Sequence, residues 1–148
     1  NNFLVGILDP ENELFLRFFK ELGASEDDYS SAKASPTTQA FGDFLVRTSL
    51  EGTFDDIAMI LYVTEGTYLD WGNRLLIEKA NPNNAVYKEW IDLHSPNVLG
   101  ELVNWLEDHL NSKSKISEKR AEYLFQTALR YEYLFWEASY NNESWFNG

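Results

Sequence analysis

The sequence contains no cysteine, so it can build no disulfide framework, thiolate nucleophile or zinc–thiolate site. Histidine is nearly as scarce. His94 and His109 are the only two, too few for a His-rich metal centre. Neither sits in the helical carboxylate motif of a di-iron site, so di-iron and haem readings are weak. No resident metal or other cofactor is expected. Basic residues are also few, with 12 Lys and Arg against 24 Asp and Glu, a formal charge of -12. Neutralising phosphates needs a basic face, which argues against nucleic acid as a partner. An anionic membrane surface is disfavoured for the same reason. No apolar run approaches the ~20 residues of a membrane span, and no secretory signal opens the chain. The expected location is cytoplasmic.

What is present points to a folded chain. Its 148 residues suit a single domain, which typically holds roughly 100–200. Ten Phe, eight Tyr and five Trp give an aromatic content that disordered acidic chains lack. Punctuation along the chain separates about six or seven helical runs, and no strand-like alternation is bounded by turn signals, so the fold class is all-α. Asp9-Pro10 can open a helix that Gly23 stops, with Asn2–Leu8 either a separate helix or the same one carried upstream. Residues 24–34 read as a polar loop. Ser35-Pro36 starts a run ending at Gly52, and Thr53 with Asp56 forms a capping box for a long helix reaching about Ala80. A short helix over 85–94, one from Ser95-Pro96 to near Asn111, and one from Ser117 to about Tyr140 complete the series.

Two of these helices carry carboxylates where apolar residues belong. On the last helix, Ala121, Phe125, Ala128, Phe135, Trp136 and Ser139 share a face at ~100° per residue, with Glu132 in its middle. A buried carboxylate needs a partner or a proton. It is either half of a structural ion pair or a general acid/base with a raised pKa. On the central helix, Ile57–Val63 is apolar all round, the mark of a buried helix. Ile57, Leu61, Thr64, Tyr68 and Leu75 share one face, with Glu65 at its edge. From Ile57 through Leu69, Glu65 is the only charged residue. Gly66 and Gly72 in the same helix mark either close helix approach or room for a ligand. Carboxylates among aromatic rings suit a flat, weakly basic ligand such as a pyrimidine, which can stack on Tyr or Trp and donate its amine protons to a carboxylate.

Four segments resemble the TenA/thiaminase II family. Ser35–Leu45 (SPTTQAFGDFL) is similar to its Ser-Pro-Thr-Thr-x-Ala-Tyr stretch, and Tyr62–Leu76 (YVTEGTYLDWGNRLL) to its central active-site helix. Tyr87–Asp92 (YKEWID) is similar to its Tyr-x-x-Trp-Ile segment. Arg130–Tyr140 (RYEYLFWEASY) is similar to its C-terminal Glu-Tyr-x-Phe-Trp stretch. The resemblance implies a haem-oxygenase-like helical bundle without haem, a homotetramer, and hydrolysis of aminopyrimidine products of thiamin breakdown to hydroxymethylpyrimidine. It implies that this chain corresponds to the C-terminal two-thirds of the family domain. The upstream Asp that grips the pyrimidine in the family has no match here.

Carried over by motif, Glu132 takes the place of the family's catalytic carboxylate and Tyr68 that of a pocket tyrosine. Thr64 stands where the family has its nucleophilic Cys, which resembles the Cys-less branch that relies on paired glutamates. Glu65 is then the second carboxylate. Phe41 replaces a pocket Tyr and His94 falls where another Tyr is expected. Tyr62, Thr64 and Trp136 are further candidates for the pocket wall. The substrates implied are aminomethyl- or formylaminomethyl-pyrimidine. A non-catalytic pyrimidine-binding or assembly protein of the same fold is the alternative.

Overall fold

The computed structural model describes residues 2–146, and side chains within that range from Pro10 onward. Among these residues there are seven helices and no strand: α1 (Asn2–Glu21), α2 (Glu26–Ser30), α3 (Pro36–Glu51), α4 (Phe54–Ile77), α5 (Ala85–Leu93), α6 (Gly100–Ser112) and α7 (Glu118–Tyr140). The all-α expectation holds. No helix among the described residues is long and apolar enough to cross a membrane.

Local sequence explains most of the boundaries. Ser35 accepts a hydrogen bond from the Thr38 amide with Pro36 in the first turn, and Gly52 ends α3. The Thr53 capping box forms as expected: the Thr53 amide donates to Asp56 Oδ2 at 2.8 Å, and the Asp56 amide donates to Thr53 Oγ1 at 3.3 Å. Ser117 caps α7 in the same way.

Of the two readings of Asn2–Leu8, the second holds: the segment is the upstream part of α1, which runs through Pro10 and is not capped at Asp9. Two other expectations change. The polar 24–34 segment contains α2, closed by its own Ser25–Asp28 capping box. Helix α6 starts at Gly100, not at Pro96. The Ser95 carbonyl accepts from both the Val98 and Leu99 amides, which winds this stretch into a tight turn before the helix begins.

The chain divides into two compact units. The first comprises residues 1–32 and 65–105, the second residues 33–64 and 106–148, so one boundary falls between α2 and α3 and the other two within α4 and α6. In the first unit α1 packs against α5. Leu14, Val86, Ile91, Leu99, Leu102 and Val103 are buried there. Arg17 pairs with Glu89, and Phe18 lies against Tyr87. In the second unit α3 packs against α7. Its core gathers Phe41 and Phe44 of α3, Ile60 and Val63 of α4, and Leu124 and Ala128 of α7. Each fully buried side chain of this kind contributes roughly 1.5–3 kcal/mol. The C-terminal tail of this unit is tied back. Glu143 accepts from the amide and hydroxyl of Thr37, and the Trp145 indole donates to the Ala34 carbonyl.

Candidate functional site

Glu132 is 3% exposed. It lies one helical turn beyond Ala128, so the buried stripe of α7 that begins at Leu124 runs directly into a carboxyl group. The expected face is rotated from its predicted position. Leu124, Ala128 and Ala138 are buried with Glu132, and Tyr131 and Phe135 are half-buried. Phe125 and Trp136 are 40% and 43% exposed, and Ser139 is exposed as well. Glu132 therefore marks the border between the core face of α7 and an exposed apolar stripe. Trp136 meets the edge of Phe135, with centroids 6.1 Å apart.

The remaining candidates of the second unit lie on α3 and α4. Phe41 is buried and stacks nearly parallel on Tyr131, at 5.3 Å and 8°. Phe44 tilts against the same ring. Tyr131 thus joins α7 to both rings of α3, one residue from Glu132. Tyr131 lies in the Arg130–Tyr140 segment and is half-buried where α3 packs on α7. Tyr62 is half-buried, and burial together with the nearby Glu107 carboxylate pushes its hydroxyl above the usual tyrosine range. The Thr64 hydroxyl donates back to the Leu61 carbonyl at 3.4 Å, a long intrahelical bond.

The first unit brings together Glu65, Tyr68 and His94. His94 caps the C-terminal end of α5. Its ring stacks on Trp90 at 4.2 Å and lies 5.2 Å from Tyr68, whose ring also approaches Trp71 at 5.3 Å. The approach of α4 to His94 depends on Gly72. A Cβ at this position would come within 2.2 Å of the His94 carbonyl oxygen, closer than any side chain can be accommodated. Gly66 has no such constraint, since a Cβ there would meet only Val103 at 4.0 Å. Of the two glycines in α4, only Gly72 is therefore required by close approach.

Glu65 is half-buried. Burial raises its pKa above the usual carboxyl range, repulsion from Glu11 adds to this, and His94 opposes it. Glu11 of α1 is a participant that the sequence pattern did not reveal. It lies just after Pro10 on a helix whose periodicity speaks only of packing. Its Oε1 faces His94 Nε2 at 3.5 Å. Among the described residues, no cluster of three or more His, Asp or Glu is arranged to hold a metal ion.

Comparison with known proteins gives these features a context. The family model described as TENA/THI-4/PQQC family matches residues 1–142. An aminopyrimidine aminohydrolase of Halalkalibacterium halodurans is 27% identical over 153 residues, covering 100% of this chain and 68% of its own length. One from Bacillus subtilis is 26% identical over 147 residues, covering 95% of this chain and 60% of its own. One from Helicobacter pylori is 23% identical over 146 residues, covering 96% and 67%. The chain spans 60% to 68% of the length of these relatives.

Proposed function

Because the chain belongs to the TENA/THI-4/PQQC family, we propose that it is a hydrolase of thiamin salvage that acts on aminopyrimidines. Relatives named aminopyrimidine aminohydrolase support this reading. The observation that carries it is Glu132, a carboxyl group 3% exposed, in the segment that resembles the family's catalytic stretch. A side chain whose charge is this costly to bury is rarely kept in a core without a task or a partner.

The substrate proposed is aminomethyl- or formylaminomethyl-pyrimidine. For the amine, water attacks the exocyclic methylene carbon, the C–N bond breaks, and hydroxymethylpyrimidine and ammonia leave. The departing nitrogen needs a proton and the attacking water must lose one. Glu132 supplies the first as general acid, and Glu65 accepts the second as general base. Two carboxyl groups suit this division of labour when their surroundings set their pKa values apart. Tyr68 and Phe41 are the ring walls, with Tyr62, Thr64, His94 and Trp136 completing the binding residues. Thr64 is no nucleophile here, so no covalent intermediate is required. The assembly proposed is a homotetramer.

The test pairs calorimetry with hydroxymethylpyrimidine and an ammonia-release assay on aminomethylpyrimidine. Binding with turnover is the expected result. Binding without turnover would make the chain a pyrimidine-binding protein of the same family, and absence of both would overturn the proposal.

A further inference from the structure

Tyr131 and Glu132 are neighbours on α7, so at ~100° per residue their side chains leave the helix on adjoining sides. Two rings of α3 hold the Tyr131 ring. It stacks on Phe41 at 5.3 Å and 8°, and tilts against Phe44 at 5.4 Å and 33°. Both partners are buried, and Ile60 and Val63 of α4 close the same core. Contacts between aromatic rings depend on their mutual orientation. The other buried residues of this face are weaker keys. Ala128 has no side chain to interlock, and Leu124 lies about two turns before Glu132. The far end of the helix pair is tied separately. Glu143, just past α7, accepts from the amide and the hydroxyl of Thr37 at the start of α3, both at 2.9 Å. That tie resists sliding of α7 along α3, while the Tyr131 contact resists its turning.

Turning matters because the Glu132 carboxyl sits off the helix axis. An α-helix with its side chains is about 10–12 Å across, so a turn of about 10° carries the end of a side chain by about 1 Å. A displacement of that size at a reacting group can cost about 100-fold in rate. Glu132 is 3% exposed, and close packing leaves it little room to correct the error by changing rotamer. The same contact limits what Phe41 offers a substrate. The face stacked on Tyr131 is covered, which leaves the other face or the ring edge.

We propose that Tyr131 is a positioning residue for the reaction: its ring, keyed by Phe41 and Phe44, fixes the rotation of α7 and so the place of the Glu132 carboxyl. This rests on the reading of Glu132 as the general acid. Tyr131 acts through Glu132, and it does so with its ring, since both contacts with α3 are ring contacts.

The test pairs a structural readout that needs no turnover with kinetics, both on the full chain. Tyr131→Leu keeps an apolar side chain and removes the ring, whereas Tyr131→Phe keeps the ring. Crystal structures should show α7 turned and the Glu132 carboxyl displaced by about 1 Å in Tyr131→Leu, with Tyr131→Phe superposing on the native chain. A Glu132 carboxyl that stays in place in Tyr131→Leu overturns the proposal whatever the catalytic activity. In the ammonia-release assay, Tyr131→Leu should lower kcat by about 10- to 100-fold and leave KM in place, and Tyr131→Phe should restore kcat. In a Glu132→Gln background Tyr131→Leu should cost nothing further, because the group it positions is gone. A loss that persists in that background, or one that falls on KM, would make Tyr131 an ordinary packing residue and overturn the proposal. If Tyr131→Leu does not fold, Phe44→Leu, which removes one of the two rings from the α3 side, decides by the same readouts. A displaced carboxyl with no hydrolysis in any form, the native chain included, would support the positioning and count against the hydrolase reading alone.

Discussion

Asp56 and Glu65 are carboxyl groups on the same helix that burial pushes in the same direction and their neighbours push apart. Burial pushes the Asp56 carboxyl up, but hydrogen bonds from Thr53 and the Arg120 guanidinium outweigh it and hold the group below its ordinary range. At Glu65 burial and Glu11 prevail over His94, so the group is raised. The consequences for stability have opposite signs. Asp56 contributes stability above its unfolded pKa that is lost as pH falls through its lowered folded value. Glu65 favours the folded state below its unfolded pKa, and that contribution is lost as pH rises through its raised folded value. Thermal melts across pH should show Glu65→Gln gaining on the native chain toward alkaline pH and converging with it in acid. Parallel melting curves at all pH values would contradict the assigned cause. Glu132 was legible in the sequence because an apolar stripe surrounds it. Glu11 was not, because its partner His94 is 83 positions away in the chain and no helical period connects them.

At the level of elements, capping residues were the most readable signals and packed faces the least. The Thr53–Asp56 and Ser117 caps predicted their helices. The same logic applied to Ser25 and Asp28 would have revealed α2 within the polar 24–34 segment. Ala128 of the predicted α7 face is buried, but the face was displaced because Phe125 and Trp136 look like core residues by type, whereas Leu124 and Ala138 occupy the core. Removing the cap and the cross-helix bond together, by Asp56→Ala, should cost about 1–3 kcal/mol in denaturant unfolding. Gly72→Ala tests a different balance. Alanine is favoured over glycine in a helix interior by roughly 1 kcal/mol. The new Cβ would nevertheless fall 2.2 Å from the His94 carbonyl oxygen, and overpacking of this kind typically costs about 1–3 kcal/mol. The expected outcome is net destabilisation with lower kcat, because the His94 turn must move. A stabilised and fully active Gly72→Ala variant would show that the approach is not required.

Across the whole molecule, the formal charge of -12 leaves most carboxylates as solvated surface and makes the two buried ones, Asp56 and Glu132, stand out. The surface is not uniformly polar. Phe125, Leu129 and Trp136 form an exposed apolar stripe on α7, which a monomer in water would have little reason to keep. Light scattering after size exclusion should give the mass of a tetramer, four times 17.2 kDa. A monomer at micromolar concentration would contradict the assembly proposed. Fold class and family were legible in four short segments. The division of the candidate residues between two compact units was not, because α4 and α6 each run through a unit boundary without any break in sequence pattern. The measurement that bears most directly on the hydrolase reading is ammonia release from aminomethylpyrimidine by the native chain and by Glu132→Gln, with helical content and hydroxymethylpyrimidine binding checked in both. The account predicts turnover by the native chain and a loss of at least about 100-fold in the folded variant, as expected when a positioned general acid is removed. Equal ammonia release by the two proteins would contradict it.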